Sequence, residues 1–433
     1  MAQDVAGGSD SGSANVDERP GFVSLLREPN MRRLWIAQAF SSAGESLAQI
    51  AMPLLVYELT GSARLVGFIA LVLILPRVLL SPVTGLLVDR VNRRRLMILA
   101  DSWRLALVVI VPFTYGIWPL ALLAAGIAIG NAVARPAELA TVPSVAGPYR
   151  LVAALSLVQV TSGVIRIAAP AAGAAVIAVI GPGPVFWVQA LCYIGSLLAL
   201  RLLVVLNLVI ALGADESKDA GLIDTAKAEM WAGVRAIVSM PIVRGVTASE
   251  TLWSLVAGAM VVAGVVYTQE TLDLGDRADA AFALMTTFMA SGAVVGALLA
   301  SRVERRIGRP ALLMVGYLGP FFMCAGFFSP PMAVIYAAWF GLGFTDAWAV
   351  IAFQSYLAEA VPAELRGRVF AAWGAMVALG GAIAFPLLGV VTPWLGAPNT
   401  FGLVGLTVGI GGPFLLWSTG AIDSVRTHRA PAG

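Results

Sequence analysis

The chain is poor in charge, in cysteine and in histidine, and each scarcity excludes a class of protein. Only 12% of its 433 residues are charged, whereas a soluble globular domain has about 25%, so a soluble enzyme is excluded. Both cysteines, Cys192 and Cys324, lie in apolar runs, which excludes a disulfide framework and a thiolate metal site. The one histidine, His428, is in the C-terminal tail, so no histidine relay operates inside the protein.

Apolar residues make up 59% of the chain. This is enough for about twelve membrane spans of about 20 residues each, with little left over for an extramembrane domain. We therefore predict an all-α membrane protein with twelve transmembrane helices. There is no HExxH pair and no nucleotide-binding glycine loop, so neither an enzyme nor a cofactor or metal is expected. The predicted spans cover residues 34–59, 65–88, 96–115, 118–138, 151–180, 184–212, 243–268, 280–301, 310–329, 332–357, 367–392 and 399–420.

Arginine is distributed unevenly among the connections between these spans. The odd-numbered connections contain just Arg64 and Arg277. Because short loops rich in Lys and Arg stay in the cytoplasm, both termini are predicted to be cytoplasmic, in a multi-pass protein of the inner (plasma) membrane. The net charge of +3 reflects this location and not nucleic-acid binding. The arginines before span 1 and after spans 2, 8 and 10 are Arg27, Arg32, Arg33, Arg90, Arg93, Arg94, Arg95, Arg302, Arg305, Arg306, Arg309, Arg366 and Arg368.

The two halves of the chain repeat one another. Segment Gly85–Arg95 closes span 2 and the similar segment Gly296–Arg306 closes span 8, which implies two pseudo-symmetric six-helix bundles related by an axis along the membrane normal. We expect the bundles to be joined by a cytoplasmic linker with an amphipathic helix, which either lies on the membrane surface or only connects the bundles. The predicted boundaries are a disordered cytoplasmic tail 1–29, bundles 30–212 and 243–420, the linker 213–242, and a cytoplasmic tail 421–433.

Several motifs resemble one family of transporters. In Gly85–Arg95 a glycine, three residues, Asp-Arg and a basic cluster follow one another, which is similar to the loop signature of the major facilitator superfamily. Other segments resemble the drug-exporting branch of that family, whose members expel macrolides, other antibiotics and siderophores. The resemblance implies a transporter with alternating access, although span 4 lacks the usual arginine-containing motif at mid-depth. These other segments are Asn30–Trp35, Pro53–Ser62, Asp101–Arg104 and Pro362–Val369.

The loop after span 2 is predicted to form a gate. Gly85 allows close helix approach, Asp89 is placed to meet the N-terminus of a neighbouring helix, and the arginines face anionic headgroups. We assign Gly85, Asp89, Arg90 and Arg93 to the gate. The alternative is that the arginines only fix the topology.

Seven ionisable residues are predicted to lie inside the spans: Glu45, Arg77, Asp101, Arg104, Arg166, Glu250 and Asp346. Left unpaired, each costs about 2.5–3.5 kcal/mol in the membrane, so they must be paired, neutralised or hydrated. Asp101 and Arg104 are three residues apart, and we interpret them as a structural pair. The resemblance places their helix at the periphery.

Polar residues on spans 1, 2, 5, 7 and 10 recur at helical spacing, which is typical of a cavity lining. The resemblance places at least four of these five spans around a central cavity. The proton-coupling candidates are the mid-depth acids Glu45, Glu250 and Asp346. The substrate-cavity candidates are Gln38, Ser42, Gln49, Arg77, Gln159, Ser162, Arg166, Ser254, Tyr336 and Trp339.

Two interpretations of these residues stay open. A carboxylate in a low-dielectric cavity can bind a proton on one side and release it on the other. Each acid can equally form a salt bridge to Arg77 or Arg166 that stabilises one conformation, and these arginines can equally bind an anionic group of the cargo. Tyr336 and Trp339 can stack on a flat ligand or serve in packing.

The sequence therefore predicts a secondary active transporter that exports small amphipathic molecules such as an antibiotic, drug or siderophore, in exchange for protons. Its expected partners are the cargo, protons and membrane lipids, without nucleic acid, and a monomer is expected. One alternative is a lipid or lysolipid flippase of the same architecture. Another is a membrane receptor that transports nothing.

Overall fold

The computed structural model describes residues 22–203, 222–328 and 330–419. This part of the chain is helical and contains no strand. Short 3-10 or π segments adjoin five of the helices, at Val111–Phe113, Pro148–Arg150, Tyr267–Thr271, Gly275–Arg277 and Gly319–Phe328. The helices are α1 (Phe22–Arg27), α2 (Pro29–Thr60), α3 (Ala63–Arg90), α4 (Arg93–Val108), α5 (Ile117–Ala146), α6 (Leu151–Ile180), α7 (Val185–Leu202), α8 (Leu222–Ser239), α9 (Pro241–Val266), α10 (Ala278–Ile307), α11 (Arg309–Tyr317), α12 (Met332–Ala360), α13 (Ala363–Leu395) and α14 (Ala397–Ser418).

Helices α2–α7 and α9–α14 are the twelve predicted spans. In the described residues, 11 helices are long and apolar enough to cross a membrane by length and composition alone. The remaining span, α2, has 32 residues, which is about 48 Å at 1.5 Å per residue. Its mean hydropathy is lower because it carries several polar residues. These residues are tolerated in a span because they face the interior of the protein and not lipid. The predicted fold class, with two six-helix bundles, is confirmed.

The two bundles meet mainly along two pairs of helices, α3 with α13 and α6 with α10, with smaller contacts of α9 with α2 and α3. We call the end of the molecule with the connections 61–62, 109–116, 181–184, 272–277 and 396 the odd-loop end, and the opposite end, with 91–92, 147–150, 308 and 361–362, the even-loop end. At the odd-loop end Gly67 abuts the backbone of Phe385, and Gly389 abuts Ala63 and Arg64. Because these glycines lack side chains, α3 and α13 approach closely there and close that end.

The prediction that a disordered tail reaches residue 29 is wrong for the last residues of that segment. Residues Phe22–Arg27 form α1, and Leu25 is only 1% exposed. Leu25 belongs to an apolar cluster with Met31 and Leu34 of α2. Burial of these apolar side chains at the even-loop end orders a segment whose charge pattern is that of a tail.

The linker contains a helix, α8, which packs on the C-terminal bundle. Gly233 abuts the backbone of Arg368 in α13, and Ala236 and Ile237 are buried. Met230 and Trp231, one to two turns before these residues, are exposed. The buried face of α8 therefore contacts protein.

Close glycine contacts also join α10 to α12 within the C-terminal bundle. A Cβ added to Gly343 would overlap the main-chain carbonyl of Met289, whereas one added to Gly374 of α13 would meet nothing within 4 Å. We expect Gly343→Ala to destabilise the protein by about 1–3 kcal/mol, because overpacking forces the backbones apart. Gly374→Ala is the matched control and should be neutral or stabilising by up to about 1 kcal/mol. Thermal unfolding in detergent measures both, and equal unfolding temperatures would contradict this packing.

Candidate functional site

A cavity of about 530 Å³ lies between the two bundles. Its N-terminal wall combines many apolar residues with most of the polar ones, among them Glu45, Gln49 and Arg77. Its C-terminal wall is mainly apolar, with Asp346 as its charged residue and Met260, Val261, Phe282, Met289, Ala290, Ala293, Val294 and Phe385 among its apolar ones. Both the volume and the mixture of many apolar with few polar groups are typical of a small-molecule site.

A second, polar chamber of about 460 Å³ adjoins this cavity. The two share Glu45, Gln49 and Arg77, and the chamber continues towards the even-loop end past Ser42 and Ser162. Its described lining comes entirely from α2, α3, α5 and α6 of the N-terminal bundle. Together the two spaces form a path from the middle of the protein towards the even-loop end.

Glu45 and Arg77 form an ion pair where the two spaces join. The Nη2 atom of Arg77 lies 3.8 Å from Oε1 of Glu45, and their side chains are 68% and 24% exposed. At this distance and exposure the pair is open to water and held loosely. Glu45 can therefore exchange Arg77 for a proton, water or a cationic cargo, and Arg77 can exchange Glu45 for water or an anionic group of the cargo.

A second ion pair, Asp101 with Arg104, is buried in the N-terminal bundle, with both side chains 2% exposed. Arg104 donates hydrogen bonds to Asn131 at 2.9 Å and to Ser41 at 3.2 Å. Ser196 donates to Asp101 at 2.5 Å. The pair therefore ties α4 to α2, α5 and α7. The face of α4 that carries it is not peripheral, because it is covered by these three helices.

Two charged residues of α5, Arg135 and Glu138, were missed in the sequence. Arg135 lines the polar chamber and donates to Ser42 at 3.4 Å. Glu138 is 7% exposed, hydrogen-bonds Ser41 and interacts electrostatically with Arg104 and Arg135. Span 4 therefore carries an arginine, Arg135, at the polar chamber. Both residues fall in the last turn of the predicted span 118–138, whereas α5 continues to Ala146, which places them inside the bundle and not at its end. Their spacing from Asn131, by four and seven residues, was the available signal.

The other cavity candidates divide into two groups. Ser42, Gln49, Arg77 and Ser162 line the two spaces, and Gln38 lines a small void beside them.

Four candidates lie outside these linings. Ser254 donates to the carbonyl of Val377 at 3.2 Å, and Trp339 is buried against Phe401. Tyr336 stacks on Phe288, and Gln159 is exposed on α6. A polar stripe shows which residues share a face but not which neighbour that face meets.

The predicted gate is described only in part. The side chains of Gly85, Asp89, Arg90 and Arg166 lie outside the described residues, so their roles stay predictions. Arg93 donates to the carbonyl of Ala140 at 2.7 Å and to Ser144 at 3.1 Å. These contacts join the start of α4 to the end of α5, within one bundle.

Glu250 and Asp346 are the acids inside the C-terminal bundle. Asp346 lines the central cavity. Glu250 is absent from the described linings and instead accepts a hydrogen bond of 2.6 Å from the buried Tyr317 hydroxyl. The two acids therefore occupy different environments: Asp346 faces the cavity, and Glu250 lies inside the bundle.

A hydrogen bond between the bundles closes the odd-loop end. The Tyr57 hydroxyl, at the end of α2, donates to Oε1 of Glu270. Glu270 lies in the π-helical segment Tyr267–Thr271, and such segments often occur at functional sites. We call the Tyr57–Glu270 hydrogen bond the odd-loop latch.

Comparisons with known proteins agree with this architecture. The family model described as Major Facilitator Superfamily matches residues 34–333 and, a second time, 272–431. The chain is similar to the multidrug efflux pump Tap of Mycolicibacterium fortuitum, 25% identical over 374 residues that cover 83% of this chain and 88% of Tap. It is similar to the enterobactin exporter EntS of Shigella boydii, 25% identical over 405 residues that cover 88% of this chain and 91% of EntS. A solved POT family transporter in complex with a thioalcohol conjugated peptide has the same fold, with a TM-score of 0.72 at 12% identity, over 94% of this chain and 99% of that one.

Proposed function

The chain belongs to the Major Facilitator Superfamily, and we propose that it exports small amphipathic molecules in exchange for protons. As a member of that family it is a multi-pass membrane transporter of small molecules and not an enzyme. The proposal concerns the direction of transport, the class of cargo and the use of protons. Cargo of the antibiotic, drug or siderophore class is proposed because the relatives include a multidrug efflux pump and an enterobactin exporter.

The observation that carries the proposal is the exposed Glu45–Arg77 pair opposite an apolar wall. An amphipathic cargo can place its apolar part against Met260, Phe282 and Met289 and its polar part against the ion pair. The Glu45 carboxylate can bind only one of Arg77, a cationic cargo and a proton at a time, so these three compete for it. Competition of this kind couples cargo release to proton binding.

We propose the orientation of the transporter in the membrane from the arginine distribution. If the arginine-rich even-loop end is cytoplasmic, both termini are cytoplasmic as well. The polar chamber then leads from the cytoplasm to the central cavity, and the odd-loop end is closed in the conformation described. We propose that this is the state in which the exporter, acting as a monomer within membrane lipids, loads its cargo.

The proposal predicts the effect of Glu45→Gln, which removes the charge but keeps the shape of the side chain. In proteoliposomes with an acid interior, uptake of ethidium, a small amphipathic cation, should fall about tenfold, as expected for a loss of about 1.4 kcal/mol. Glu304→Gln is the matched control, since Glu304 accepts from Arg309 at 2.7 Å away from both spaces.

The control should transport at the wild-type rate. A Glu45→Gln variant as active as the wild type would exclude Glu45 from coupling. Wild-type protein that moves a labelled lysolipid and not ethidium would instead indicate a flippase.

A further inference from the structure

We propose that Tyr317 is a proton relay between Asp346 at the cavity and Glu250 inside the C-terminal bundle. This inference rests on the proposed function, since proton exchange needs a group that stores the proton during the conformational change. Tyr317 was not among the residues singled out by the sequence. Its place in the structure connects two acids on different helices.

The tyrosine side chain is held in a fixed position. Tyr317 is fully buried at the end of α11, and its ring packs edge-on against Trp253 with 6.3 Å between ring centroids. Its hydroxyl donates to Oε1 of Glu250 at 2.6 Å. A buried hydroxyl in this orientation can pass its proton to the Glu250 carboxylate.

Close packing of α11 on α12 brings together the segments that carry Tyr317 and Asp346. Gly316 abuts the backbone of Ala349, and Gly319 abuts the Thr345 hydroxyl. These two contacts bracket Tyr317 on one helix and Asp346 on the other. The Tyr317 hydroxyl is then within electrostatic range of the Asp346 carboxyl group.

Glu250 is suited to store a proton because its charge lacks a basic partner. In the described part of the chain no Arg, Lys or His forms an ion pair with it, and Tyr317 is its hydrogen-bond donor. The titratable groups that act on Tyr317 are Glu250 and Asp346. An ionised carboxylate in such surroundings is costly, so the protonated form is favoured once a proton arrives.

The transfer is a balanced exchange of protons. Asp346 takes a proton from cavity water and passes it to the Tyr317 oxygen, while the Tyr317 hydroxyl proton moves to Glu250. At the end Asp346 is ionised again, as it was at the start, Tyr317 is neutral throughout, and Glu250 has changed from ionised to protonated. No electron and no other proton is involved, and the reverse sequence releases the proton.

Time-resolved infrared spectroscopy tests the relay on the full chain in lipid without any cargo. The carboxylic-acid band of Glu250 is the one that Glu250→Gln removes. After an acid pH jump this band should appear at least about tenfold more slowly in Tyr317→Phe than in the wild type. Tyr356→Phe is the matched control, because it removes another buried hydroxyl of the same bundle and keeps the ring near Arg309.

Asp346→Asn should slow the appearance of the Glu250 band as Tyr317→Phe does. This second variant keeps the test decisive if Tyr317→Phe fails to fold. A Glu250 band that forms at the wild-type rate in these variants would overturn the relay. So would a wild-type protein in which Glu250→Gln removes no band. Because no cargo is present, either result leaves export itself to be judged by the ethidium experiment.

Discussion

Asp101→Ala should lower the free energy of unfolding by about 3–5 kcal/mol, the usual cost of leaving one partner of a buried ion pair alone. Arg104 would then remain charged in the centre of the N-terminal bundle, where its side chain is 2% exposed. The hydroxyl of Ser196 would lose its acceptor as well. Unfolding of the purified protein in mixed micelles with increasing SDS measures the change.

The control for this prediction removes both charges. Replacing Asp101 with Leu and Arg104 with Met in one chain should recover most of the stability, because well-packed apolar residues often replace a buried ion pair at little cost. If Asp101→Ala alone is as stable as the wild type, water or another group must neutralise Arg104, and the pair is not structural.

Tyr57→Phe should move the conformational equilibrium towards opening at the odd-loop end by about 10–100-fold. The change removes the hydroxyl that donates to Glu270 across the two bundles. A hydrogen bond to a charged group contributes about 1.5–3 kcal/mol, and one made in a single state shifts the populations by that amount. The exposed Tyr115 lies at the same end of the molecule, so Tyr115→Phe is the matched control.

Cysteine labelling measures this equilibrium in a background without Cys192 and Cys324. A cysteine introduced at Ser162 lines the polar chamber and reacts when the even-loop end is open. Its labelling should fall with Tyr57→Phe and stay unchanged with Tyr115→Phe. Unchanged labelling in both would mean that the α3–α13 contact alone closes the odd-loop end.

Much of the architecture was predictable because each span carries its own local signal. Apolar length predicted the twelve spans, and the spacing of polar residues in α2 predicted that Ser42, Glu45 and Gln49 share a cavity. The close sequence spacing of Asp101 and Arg104 predicted their ion pair, since residues three apart meet on a helix. These inferences need only one helix at a time.

The rest depends on contacts between helices, which local patterns do not contain. Tyr57 and Glu270 are 213 residues apart, and Tyr317 is 67 residues from Glu250. Arg135 escaped notice because it lies in the last turn of the predicted span, and a hydropathy pattern places helix ends poorly. Trp339 has the expected spacing, but its face of α12 turns to Phe401 and not to the cavity.

The arrangement around Asp101 and Arg104 also bears on how the chain enters the membrane during synthesis. The two charges lie within one turn of α4, so this helix brings its own counter-ion when it leaves the translocon, and its insertion cost is lower than that of two separate charges. Ser41 precedes it, whereas Asn131 follows 27 residues and Ser196 95 residues later. The pair therefore gains hydrogen-bonding partners in the order in which the ribosome makes them, and α7, the last helix of its bundle, completes the set.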